Sequence, residues 1–96
     1  MDNLLIGTIL TITQHIYTLE SSQGKHDSCT LQGQYNGYGY ASNKICFKTH
    51  AEAEGVAYTW VLKNYLLGLT IPQIYCKWQS GQPLNDCEYA RKAASL

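Results

Sequence analysis

Tyr35, Tyr38 and Tyr40 stand among Gly33, Gly37 and Gly39 in the run Gly33 to Asn43. This is the stretch of the chain best suited to contact another molecule. Tyrosine offers a rigid ring with a polar tip, which suits surfaces that stay partly wet. The glycines let the backbone turn tightly or approach a partner closely. Three readings follow. The rings could bind a protein partner, they could stack on unpaired bases with Lys25, Lys44 and Lys48 as nearby cations, or they could cover the chain's own core.

Other chemistry finds less support. Zinc sites are built from tightly spaced pairs, and the chain has only His26-x-x-Cys29, with Cys46, Cys76 and Cys87 scattered. Cys46 and Cys76 read as small buried hydrophobes. Cys87 falls near an expected helix start and His50 near another, but nothing brings them together as a thiol and its base. Glu52 and Glu54 are two apart on a helix and cannot face each other as an acid–base pair. No glycine-rich phosphate loop precedes a helix. The expectation is a non-enzymatic chain with no catalytic residue, no metal ligand and no cofactor.

The elements that would position these residues are read from periodicity. Leu4, Ile6, Leu10, Ile12 and Ile16 alternate with Thr11, Thr13, His15 and Tyr17, which predicts a half-buried strand bent near Gly7 or Thr13. Glu20 to Asp27 reads as a polar turn. Residues 28–49 read as a hairpin turning at Asn36-Gly37 or at Ser42-Asn43. Thr49-x-x-Glu52 matches a capping box and opens a helix to Leu67, stopped by Gly68. Thr70 to Trp78 alternates and predicts a last strand with Pro72 near its start. Asn85 to Glu88 caps a short terminal helix. The fold class expected for this single domain is therefore α+β: a small antiparallel sheet of three to four strands, packed by one long helix, in the order β-β-β-α-β-α. Val56, Trp60 and Leu67 would face a sheet surface of Leu10, Ile12, Ile45, Phe47 and Ile74. Tyr58, Leu62 and Tyr65 would then form a strip left for a homodimer or partner contact.

Charge is the unusual term of the composition. Only 15% of residues are charged, the formal net charge is zero, and Arg91 is the only arginine. A duplex-binding protein would show a basic face, so a neutral, polar surface fits direct protein contact better. Leu4 to Ile12 is too short to span a membrane, and Asp2 does not suit a signal sequence. The expectation is a cytoplasmic protein with reduced thiols and no membrane partner.

In size and order of elements the chain resembles the single-domain inhibitors carried by phages and mobile elements, anti-CRISPR proteins among them. That resemblance implies a small inhibitor or adaptor that covers a partner protein's surface, and it assigns no residue. The contact residues expected are Tyr35, Tyr38, Tyr40, Tyr58, Leu62 and Tyr65. The alternative is a single-strand nucleic-acid binder using Tyr35, Tyr38, Tyr40, Lys44 and Lys48.

Overall fold

A computed structural model describes residues 3–21, 27–40 and 45–96. The elements in chain order are α1 (Asn3–Ser21), a 3-10 helix (Ser28–Gln32), α2 (His50–Leu66), α3 (Ile71–Ser80) and α4 (Glu88–Ala94). The expected α+β sheet is overturned. Among the described residues the one β-type pairing is an isolated antiparallel bridge between Tyr35 and Phe47.

The first predicted strand is α1. Its buried residues Ile9, Ile12, Thr13 and Ile16 follow helical spacing, and Leu5 packs beside them. The same sequence also alternates, and its β-branched residues favour a strand. The helix accommodates its threonines by turning their hydroxyls back onto its own carbonyls: Thr8 to Leu4, Thr11 to Gly7, Thr13 to Ile9 and Thr18 to Gln14, at 2.7–3.1 Å.

The Tyr-rich segment is a compact loop rather than a hairpin. Both carboxylate oxygens of Asp27 are engaged, Oδ1 by the Cys29 N–H at 3.0 Å and Oδ2 by the Asn36 N–H at 2.7 Å. Buried Asn36 donates from Nδ2 to the carbonyls of Tyr40 and Ile45, both at 2.8 Å, and accepts from the Tyr40 N–H. A turn forms one residue past the expected Asn36-Gly37 pair: the Gly39 N–H bonds to the Asn36 carbonyl, which puts Gly37-Tyr38 at its centre. The other proposed turn, Ser42-Asn43, lies outside the described residues. A Cys29–Cys46 disulfide closes the loop.

Thr49 caps α2 as its sequence predicts, accepting from the Glu52 N–H at 3.1 Å. The face turned inward is different. Ala53, Ala57, Val61 and Asn64 are buried, whereas Leu67 is 65% exposed and Val56 and Trp60 are half-buried. Without a sheet to cover, the small alanines let α1 approach α2 closely. The last predicted strand is α3. Thr70 and Gln73 form a reciprocal capping box with a proline in the first turn, and Gly81 ends the helix at φ 81°. Pro72 thus marks a helix start, not a sheet edge. The terminal helix α4 forms where expected, with Cys87 as its cap. A second disulfide joins Cys76 of α3 to Cys87, so the thiols expected to be reduced are paired. The core gathers Ile9, Ile12 and Ile16, the α2 face, Ile74 and Tyr75, Ala90 and Ala93, and Tyr38 from the loop. No helix among the described residues is long and apolar enough to cross a membrane.

Candidate active site around Glu20

Glu20 occupies the last turn of α1, where the loop, α3 and α4 converge. Its side chain lies flat against Gly39: a Cβ on that glycine would stand 3.1 Å from Glu20 Oε2 and 3.2 Å from Cδ. From α4, the Tyr89 hydroxyl donates to Oε1 at 3.3 Å. From α3, Trp78 adds a second side-chain hydrogen bond. Desolvation raises the Glu20 carboxyl above its ordinary range, and those two bonds only partly oppose it. The residue nonetheless remains open to solvent. A carboxyl that resists ionisation yet can be reached is suited to donate a proton. Tyr89 keeps its own proton, since burial first and the Glu20 charge second push its phenol upward.

An aromatic wall extends from this point. Trp78 meets Trp60 edge to face at 4.9 Å and Tyr40 at 6.2 Å, and Tyr40 meets Phe47 at 6.4 Å. Tyr40, Phe47 and Trp60 line a groove of about 630 Å³, completed by Val56 and Gly55 with Glu52, Thr59 and Lys63. These α2 residues form one stripe at helical spacing. Gly55 leaves open space on it.

The residues expected to bind a partner separate in the structure. Tyr38 is 2% exposed. Its ring packs on Tyr17 at 4.8 Å and on His50 at 5.7 Å, with its hydroxyl 3.5 Å from Glu54. Tyr35 is partly exposed beside Phe47, and Tyr40 belongs to the groove. Tyr58, Leu62 and Tyr65 are half-buried, with part of each side chain packed against the core. Lys48 is exposed; Lys25, Lys44 and His26 lie outside the described residues. All four cysteines are in disulfides, and His50 sits 3.7 Å from Glu54. No group of three or more metal-ligating side chains stands together among the described residues.

Sequence reasoning passed over Glu20, because it read the region as a turn after a strand. A helical reading of residues 3–21 would have placed one carboxylate at the end of an apolar helix, just before the Gly- and Tyr-rich run. Trp78 and Tyr89 carry no local signal, since they reach Glu20 only through packing. No family model, no curated protein and no solved structure matches this chain.

Proposed function

We propose that the protein is a glycan-cleaving enzyme in which Glu20 protonates the glycosidic oxygen. The observation that carries this reading is the raised, solvent-reachable carboxyl of Glu20 between Gly39, Trp78 and Tyr89. Acetal cleavage needs a carboxylic acid that is still protonated when substrate binds, and desolvation shifts the Glu20 carboxyl in that direction. The groove supports the substrate class. The flat C–H faces of sugar rings pack on Tyr40, Phe47 and Trp60, and Thr59, Glu52 and Lys63 offer hydrogen bonds to hydroxyls at the rim.

Proton transfer to the bridging oxygen lets the C1–O bond break and leaves an oxocarbenium-like sugar. Asp27 is held by two backbone N–H groups and does not serve as a partner carboxylate. The leaving sugar departs as an alcohol, and water or a hydroxyl of the sugar itself then captures C1 and returns a proton to the Glu20 carboxylate. The paired cysteines support an oxidising compartment over the cytoplasm expected from sequence, where extracellular or cell-wall glycans are within reach.

The test is cleavage of β-linked polysaccharides and bacterial cell wall, read by mass spectrometry of released fragments. Wild-type protein should release fragments, and Glu20→Gln should lower the rate by about 10²-fold or more. Equal rates would remove Glu20 from the chemistry. A protein-covering module is the second reading, favoured by exposed Leu66 and Leu67 at 68% and 65%. It would replace the first if no glycan is cut and a Leu66→Ser, Leu67→Ser variant changes assembly by sedimentation.

A further inference from the structure

A second groove lies on the far side of α1's helical surface from the Glu20 chemistry. It holds about 580 Å³, within the range of small-molecule sites. One wall is the α1 stripe of Leu4, Gly7, Thr8, Thr11 and His15. From Leu4 to His15 this stripe runs about 17 Å at 1.5 Å per residue. The opposite wall is Ile71, Pro72 and Tyr75 from α3, with Ala90, Ala93 and Ala94 from α4. None of the described residues that line it is an Asp, Glu, Lys or Arg.

The polar groups in the groove are few, and most are turned away. The Thr8 and Thr11 hydroxyls bond to the Leu4 and Gly7 carbonyls at 3.0 and 2.9 Å, so their methyls are left for the groove. The exceptions are Asn3 at one end and His15 at the other, whose Nδ1 meets the Tyr75 hydroxyl at 2.9 Å. Burial pushes the Tyr75 phenol up to about 12, so it keeps its proton and is able to donate to Nδ1. In the tautomer that accepts this bond at Nδ1, Nε2 carries the hydrogen. The groove is therefore a largely apolar slot with a polar side chain at each end, Asn3 at one and His15 at the other.

These features decide among occupants. A helix as long as the slot, at 10 Å diameter, would fill about 1,300 Å³, more than twice the space. An extended peptide needs backbone partners, and the walls are helices whose N–H and C=O groups are already paired. A sugar needs many polar contacts. A single aliphatic chain needs none until its end.

We propose that this groove binds one aliphatic chain ending in a carboxylate, with the chain along α1 and the head group on His15 Nε2. This does not rest on the glycan reading and is tested by binding alone. Decanoate and decyltrimethylammonium, each below its micelle concentration, are titrated into the full disulfide-bonded chain and followed by amide chemical shifts. Decanoate should shift amides of α1, α3 and α4 along the groove and bind at least tenfold more tightly than the cationic amphiphile. Gly7→Leu should weaken decanoate at least tenfold without lowering Tm, because a Cβ at Gly7 meets no atom within 4 Å. His15→Ala should keep chain binding and lose the preference for the carboxylate. Equal binding of the two amphiphiles to the wild type, or unchanged decanoate binding by Gly7→Leu, would overturn the proposal. So would a concentration-dependent dimer that protects these amides and is not displaced by decanoate.

Discussion

Glu20 sits under two opposing demands, proton donation and folding. Its carboxyl is raised in the folded chain, so the native state holds that proton more tightly than the unfolded chain does. The stabilisation this brings is present below the unfolded pKa, near 4.3 for a model glutamate, and is lost as pH rises through the folded value. Glu20→Gln carries no charge to desolvate, and its amide oxygen can still accept from Tyr89. Its Tm should therefore exceed the parent's at pH 8, with the gap closing toward pH 4. A gap independent of pH would mean that Glu20 is not desolvated. Cleavage by the parent should decline as pH rises through the same folded value, because only the protonated acid is active. Gly39 offers a second test at this scale. At φ 69° an alanine is strained, and its Cβ would meet the Glu20 carboxyl. Gly33 has φ 70° and nothing within 4 Å of a built Cβ. Gly39→Ala and Gly33→Ala should each lose about 1–2 kcal/mol in urea unfolding, but only Gly39→Ala should slow cleavage. Equal rates in the two variants would separate Gly39 from the acid.

The helices position the acid through their crossings rather than through local sequence. Trp78 and Tyr89 each follow a half-cystine by two residues, in α3 and α4 respectively. The Cys76–Cys87 bond thus ties together the two elements that hydrogen-bond Glu20. Cys76→Ser with Cys87→Ser should cost about 2–4 kcal/mol. At a temperature where the variant is still folded by circular dichroism, it should still cleave more slowly than the parent. An undiminished rate in the folded variant would make this disulfide purely structural. On α2, Gly55 lies in the groove with open space around it. Gly55→Phe should raise KM for a glycan while leaving kcat near the parent's, because the ring fills the groove without touching Glu20. A fall in kcat alone would place the sugar elsewhere.

Across the molecule, four helices share one modest core, and two disulfides close the segments that no helix covers. Small domains of this size often depend on such bonds. Closing loops of 17 and 11 positions is worth about 3 kcal/mol each in the unfolded-chain model. Together these approach the whole stability of a typical domain. A dithiol reductant should lower Tm sharply or unfold the chain at room temperature, read by circular dichroism. An unchanged Tm with four titratable thiols would show that the core suffices alone.

Local chemistry was readable wherever it depended on adjacent residues. The Thr49 cap of α2 and the short helix after Cys87 follow from side chains that bond to nearby backbone, whereas the turn falls one residue past Asn36-Gly37. Thr70-x-x-Gln73 with Pro72 is an equally local helix start, but the alternation of Ile74, Cys76 and Trp78 concealed it. Between residues 4 and 17 the apolar positions satisfy both the period of a strand and that of a helix. Only packing against Ala53, Ala57 and Val61 selected the helix, because flat small-residue faces suit helix crossings. That choice placed Glu20 at a helix end, rotated the buried face of α2 by about a quarter turn from the expected one and drew Tyr38 into the core. The cysteine partners were likewise beyond the sequence, since pairing depends on which sulfurs the fold brings within bonding distance. Glu20 with Trp78, Tyr89 and Gly39 is a product of tertiary structure in the same sense. Four segments distant along the chain meet there, and the acidity of the carboxyl comes from their meeting.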